Sequence, residues 1–144
     1  MNLPATVEVD GATAESAGRP ERILVVDDEA PVRTFIEMCL RAGGFNHFAF
    51  AQDGGEVLPL AQEGCPHLII MDVIMPRVNG LRALQLLKEN SDTAGIPVII
   101  TSGFDFDNIR DLAKEQADLL LSKPFTPAQI LSEVNRVLGM RYSS

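Results

Sequence analysis

Four apolar runs in this chain end in groups that can handle a metal ion or a phosphoryl group. Ile23-Leu24-Val25-Val26 ends in Asp27-Asp28, and Leu68-Ile69-Ile70-Met71 ends in Asp72. Val98-Ile99-Ile100 ends in Thr101, and Leu119-Leu120-Leu121 ends in Ser122-Lys123-Pro124. A carboxylate at the end of a buried strand is costly unless something pairs with it. If the four runs are parallel strands of one sheet, their polar ends share one edge. That edge then holds three carboxylates, a hydroxyl and an ammonium. Three negative charges in one crevice repel one another without a cation. A hard cation such as Mg²⁺ takes oxygen ligands of this kind.

The elements that must position these groups alternate between strand and helix from Arg22 onward. The strand Ile23–Val26 leads to a helix that Pro31 starts well, since proline is tolerated in a first turn. Val32, Phe35, Ile36 and Cys39 share one face of it, and Gly43-Gly44 stops it. A less apolar strand, Phe45 to Phe50, contains Asn46 and His47 and suits a sheet edge. Asp53 is placed to cap a short helix holding Val57, Leu58 and Leu60, with Pro59 expected to kink or shorten it. Gly64-Cys65-Pro66 is a turn before Leu68–Met71. A third helix starts near Gly80, with Leu81, Leu84 and Leu87 or Lys88 inward. Ser91 to Pro97 is a loop, and a fourth helix is expected from Asp107 to Glu115. Thr126-Pro127-Ala128-Gln129 matches a capping box. Ile130, Val134, Val137 and Leu138 then form a stripe that Gly139 ends. Continuous apolar strands alternating with amphipathic helices imply a parallel sheet covered on both faces. Such sheets bind ligands outside the carboxyl ends of their strands.

Bulk properties narrow the function further. The 144 residues are the size of one domain, with 46% apolar and 22% charged residues. A net charge of −8 argues against nucleic acid and anionic membrane as partners. No apolar run approaches the roughly 20 residues of a membrane span. Residues 1–20 are rich in small residues and acids and read as a flexible extension without signal-peptide character, so a cytoplasmic location is expected. Within them Thr6-Val7-Glu8-Val9 alternates and could pair with an edge strand. Cys39 and Cys65 lack metal spacing to a histidine and read as plain thiols.

Ile-Leu-Val-Val-Asp-Asp-Glu at 23–29, Met-Asp-Val-Ile-Met-Pro at 71–76 with Gly80, Thr101, and Lys-Pro-Phe at 123–125 together resemble the receiver domain of bacterial two-component response regulators. The resemblance covers about residues 21–140, leaving 141–144 as a short tail. Each motif alone has a plain reading: a helix cap, a turn former, a β-branched strand residue, a surface lysine. Their order at four strand ends is what carries the likeness.

The resemblance implies a flavodoxin-like, doubly wound, five-stranded parallel sheet in the order 2-1-3-4-5 with five helices. It implies that Asp72 is the phosphoacceptor, forming an acyl phosphate. Asp28 and Asp72 would bind Mg²⁺ directly, Asp27 through water, and Ile74 through its backbone carbonyl. Lys123 and Thr101 would bind the phosphoryl oxygens, and the Lys123–Pro124 bond would be cis. The donor would be a histidine kinase or a histidine phosphotransfer protein, docking on the first helix near the acidic pocket. A downstream protein target would bind the face formed by the fourth helix, fifth strand and fifth helix. The chain would be a monomer or a phosphorylation-dependent dimer. It would not be an enzyme beyond assisting its own phosphorylation and dephosphorylation.

Two departures from the family pattern matter. Leu120 stands where a tyrosine or phenylalanine is usual, so the aromatic half of the switch is missing and Phe104 is the nearest substitute. Ile74 and Gly103 offer no side chain to orient an attacking water, which predicts slow self-dephosphorylation. Gln116 replaces a common helix-ending glycine. The chain stops about five residues after its last expected helix, which predicts a receiver acting without an attached output domain. Other readings are a phosphoryl shuttle in a relay and a non-phosphorylated scaffold. A haloacid-dehalogenase-like phosphohydrolase is more remote, because that chemistry needs a second aspartate two residues after the first, after the first strand.

Overall fold

The computed structural model describes residues 18–73, 80–103 and 116–142. Five strands form one parallel sheet in the order β2-β1-β3-β4-β5, the expected order, with β2 at an edge. These are β1 (Arg19–Val26), β2 (Phe45–Ala51), β3 (Leu68–Asp72), β4 (Val98–Ser102) and β5 (Leu119–Ser122). The helices are α1 (Ala30–Ala42), α2 (Val57–Gly64), α3 (Gly80–Glu89) and a last one, Pro127–Tyr142. The helix expected at 107–115, the segment 6–9, Ile74 and Phe104 lie outside the described residues.

The apolar runs are continuous because the sheet is buried on both faces. Ile23, Val25, Leu68, Ile70 and Ile99 pack with Ile36, Leu40, Ile130 and Val134, under α1 and the Pro127–Tyr142 helix. Leu24, Val26, Ile69, Met71, Val98 and Ile100 pack with Val57, Ala61, Leu84 and Leu87, under α2 and α3. Successive strand residues therefore serve opposite layers, as the two-residue period of a strand requires.

Local signals set the ends of these elements. Pro31 sits in the first turn of α1, and the Gly43 N–H bonds the carbonyl of Leu40 at its end. Asp53 accepts from the Gly55 N–H at 2.7 Å and caps a short 3₁₀ turn, Gly54–Glu56, that runs into α2. That turn places Pro59 at the third residue of α2, where a missing N–H costs little, and the helix ends after eight residues. Its end is taken by Cys65 in the left-handed region at φ 48°, while Gly64 stays helical. The capping box is fully formed: Gln129 N donates to Thr126 Oγ1 at 3.1 Å, and Thr126 N donates to Gln129 Oε1 at 2.8 Å.

Two expected boundaries move. Strand β1 starts at Arg19, inside the stretch read as an extension, because Arg19 N bonds Gly44 O at 2.8 Å and its guanidinium lies over the Phe45 ring. Pro20 falls where the β1–β2 register shifts, a place in a strand that tolerates proline. Gly139 does not end the last helix, which continues to Tyr142. A mid-helix glycine costs about 1 kcal/mol relative to alanine, and the buried Val137 and Leu138 beside it hold the turn.

Loss of the reciprocal cap in Thr126→Ala is expected to cost about 1 kcal/mol. Urea unfolding of the two proteins measures this as a lower midpoint at unchanged slope.

Candidate metal centre

Strand register brings the four polar ends together. Val26 pairs with Met71, Asp72 with Thr101, and Thr101 with Leu121. Asp27 and Lys123 therefore stand just beyond the same edge. The alternation of the strands continues into all four residues. Asp27 follows Ile23 and Val25, Asp72 follows Leu68 and Ile70, Thr101 follows Ile99, and Lys123 follows Leu119 and Leu121. Each belongs to the layer under α1 and the Pro127–Tyr142 helix. This shared parity can be read from the sequence.

Asp27, Asp28 and Asp72 each offer a carboxylate oxygen, and these oxygens lie within 4.8 Å of one another. Asp27 is 1% exposed and Asp72 6%, while Asp28 is open to solvent. Lys123 answers the two buried charges. Its Nζ donates to Asp27 Oδ2 at 2.8 Å and lies 3.5 Å from Asp72 Oδ2. Burial pulls the lysine downward, but its bond to Asp27 and the charges of Asp27 and Asp72 outweigh that, so it is held above its ordinary value of 10.5. A raised pKa means that the stabilisation is fully present below the ordinary lysine range. It is lost only as pH rises through the raised value, so the ammonium persists across neutral pH.

The backbone reinforces this arrangement. Asp27 Oδ1 accepts from Glu29 N at 2.9 Å, and Asp27 N donates to Ala51 O at 3.1 Å. Lys123 N donates to Ser102 O at 2.7 Å, and Val73 N donates to Thr101 O at 3.1 Å. Gly80 N donates to Val73 O at 2.8 Å, which draws the start of α3 against the end of β3. A Cβ on Gly80 would collide with the Asp72 carbonyl oxygen and sit 2.8 Å from Val73 Cα, so this approach requires glycine. The Lys123–Pro124 peptide is cis.

One contributor escaped the sequence reading. Arg33 donates to the main-chain carbonyl of Asp27 at 2.6 Å. Its signal is its distance from Asp27, which turns the first turn of α1 back toward the strand end. Phe125, read in the sequence only as the end of Lys-Pro-Phe at 123–125, is buried and meets Phe35 with ring centroids 6.0 Å apart. With Pro31, Val32, Gly103, Lys123 and Pro124 these rings line an open groove of about 460 Å³ beside the acidic cluster. Thr101 is buried, 1% exposed, at the pocket edge. Leu120 packs against the opposite core layer, away from Lys123. Cys39 is buried and its thiol is pushed up by burial, and Cys65 is exposed and free.

The donor set fits a hard divalent cation: among the described residues, three carboxylates answered by one ammonium leave excess negative charge at an accessible edge. An aspartate at the end of a buried strand, beside that cation site and a fixed ammonium, is equipped to act as a nucleophile toward phosphorus.

Comparison with known proteins agrees with this inventory. A family model described as the response regulator receiver domain matches residues 23–135. The phosphate regulon transcriptional regulatory protein PhoB of Escherichia coli is 34% identical over 119 residues, covering 81% of this chain and 51% of that protein. The chain thus spans about half the length of the PhoB proteins it matches. Protein PilH of Pseudomonas aeruginosa is 33% identical over 119 residues, covering 82% of this chain and 98% of PilH. Among solved structures, a response regulator from Chloroflexus aurantiacus superimposes with a TM-score of 0.77 at 26% identity, covering 84% of this chain and 99% of that one. The receiver domain of a histidine kinase from Syntrophus aciditrophicus gives 0.78 at 26% identity, covering 86% and 94%.

Magnesium at about ten times its dissociation constant is expected to stabilise the fold by about 1.4 kcal/mol through mass action. Thermal unfolding with and without Mg²⁺ shows this as a raised midpoint, and Asp28→Asn is expected to remove most of the rise.

Proposed function

The chain belongs to the response regulator receiver family, and on that premise we propose that it accepts a phosphoryl group on Asp72 from a phosphohistidine and thereby changes its binding to a protein target. The observation that carries the reading is the placement of one ammonium against two buried carboxylates, Asp27 at 2.8 Å and Asp72 at 3.5 Å, beside the exposed Asp28.

In the step itself an Asp72 carboxylate oxygen forms a bond to phosphorus as the phosphorus–nitrogen bond breaks. The electron pair leaves with the imidazole nitrogen, which takes up a proton. Asp27, Asp28, Asp72 and the Ile74 carbonyl would hold Mg²⁺. When bound, the cation would neutralise charge on the phosphoryl oxygens. Lys123 is placed to release part of its contact with Asp27 and bind a phosphoryl oxygen, and the Thr101 hydroxyl supplies another donor. The protein contributes positioning and charge, which dominate phosphoryl transfer. It turns over no separate substrate in this reading.

The groove of Phe35, Pro124 and Phe125 beside Lys123 supports docking of the phosphohistidine donor along α1. Strand β5 lies at the other edge of the sheet with Leu119, Leu120 and Leu121 only partly buried, which supports a target-binding face around β5 and the Pro127–Tyr142 helix. Readout through the segment after Thr101, with Phe104 as its aromatic group, is the proposed substitute for the missing ring at Leu120. The net charge and the lack, among the described residues, of a helix long and apolar enough to cross a membrane support a cytoplasmic role.

Acetyl phosphate with Mg²⁺ is expected to add one phosphoryl group to the protein, read by intact mass, and Asp72→Asn is expected to abolish it. No labelling of the parent would leave the scaffold reading in its place. Turnover of a phosphate ester would favour the phosphohydrolase. Gly103 is exposed, and a Cβ built there would meet Lys123 Cδ only at 3.8 Å, so position 103 has room for a side chain but carries none to orient a water. The label is therefore expected to persist for minutes or longer, and decay within seconds in the purified protein would refute this.

A further inference from the structure

A guanidinium beside a cluster of carboxylates would ordinarily pair with one of them. Arg33, in the first turn of α1, does not. Its Nη1 donates to the main-chain carbonyl of Asp27 at 2.6 Å, and among the described residues it pairs with no carboxylate. It borders a cavity of about 150 Å³ with Phe50, Ala51, Gln52 and Glu56, and there the Glu56 carboxylate accepts instead from Gln52 N at 2.8 Å.

We infer that Arg33 is a positioning residue for the cation site: by holding the Asp27 carbonyl it fixes where Asp28 stands, and so sets the affinity for Mg²⁺. The inference rests on the reading of Asp27, Asp28 and Asp72 as that site. Three observations carry it. The first is the place of the bond. The Asp27 carbonyl belongs to the planar peptide that leads to Asp28, so holding its oxygen orients the plane and the Cα that follows. The second is that Asp28 has no other hold. Asp27 is fixed at its N, Oδ1 and Oδ2 by Ala51 O, Glu29 N and Lys123 Nζ. The Asp28 carboxylate has no partner of its own among the described residues. The start of α1 adds little, since the side chain of Glu29 at the N-cap makes no capping bond and Pro31 has no N–H. The third is the choice of acceptor. Bound to the Asp28 carboxylate, Arg33 would occupy oxygens that a cation needs. Bound to a neutral carbonyl, it leaves them free.

The sign of one effect separates this role from two plainer ones. A nearby positive charge repels Mg²⁺, so if charge were all, removing Arg33 would tighten binding. If Arg33 only fastened α1 to the strand end, removing it would lower stability and leave the affinity alone. A positioning residue weakens binding when it is removed, against the electrostatic trend. Mg²⁺ is titrated calorimetrically into the full chain and into Arg33→Met and Arg33→Gln, two neutral variants, so that a folding failure of one leaves the other. The dissociation constant is expected to rise about tenfold in both, and Arg33→Lys, which restores a charged donor, is expected to recover most of the loss. In EDTA the Glu29 amide, whose acceptor is Asp27 Oδ1, is expected to exchange faster in the neutral variants, with the β3 amides unchanged. An equal or lower dissociation constant in a folded neutral variant would overturn the inference. A parent chain that binds no Mg²⁺ would instead remove the site reading, and the inference with it.

Discussion

The structure depends on one unequal balance of charge. Asp27 and Asp72 are buried at the ends of strands whose other residues are almost wholly apolar, and the ammonium of Lys123 reaches both. Removing either carboxylate from water is unfavourable in proportion to its burial, so neither position is tolerable without a cation. Among the described residues, one ammonium against three carboxylates leaves the crevice short of positive charge. That deficit is one a divalent cation would meet. Such an uneven match is the pattern of a candidate site rather than of a closed ion pair.

Much of what fixes the crevice is main chain. Strand register levels Asp72 with Thr101, the Ser102 carbonyl receives the Lys123 N–H, and the Thr101 carbonyl receives the Val73 N–H. Gly80 lets α3 begin almost on top of the Asp72 carbonyl. Arg33 holds the carbonyl of Asp27 from α1. These bonds place the side chains on rigid elements, which is the condition for charges to be useful without rearranging first.

Much of this was legible in the residues. The continuous apolar runs marked strands buried on both faces, and the polar residue after each run marked the edge. The capping box at Thr126 and Gln129 and the proline in the first turn of α1 formed as their spacing requires. What was not legible depended on tertiary context. The helix read through Gly139 because its neighbours Val137 and Leu138 are buried, and a local propensity of about 1 kcal/mol gives way to such packing. Strand β1 began at Arg19 because of a partner carbonyl at Gly44, distant in sequence. Arg33 was missed because its bond goes to a main-chain oxygen, which leaves no pattern of complementary side chains. Leu120 looked like a gap in a relay, and in the fold it is a packing residue of the opposite layer.

The bond from Lys123 N to Ser102 O has a mechanical meaning. It fastens the main chain beside Thr101 to the main chain that carries the ammonium. The ends of β4 and β5 are therefore joined by a peptide hydrogen bond just beyond the Thr101–Leu121 pair. Thr101 and Lys123 thus stand on main chain held together by peptide groups, whatever side chain occupies position 120.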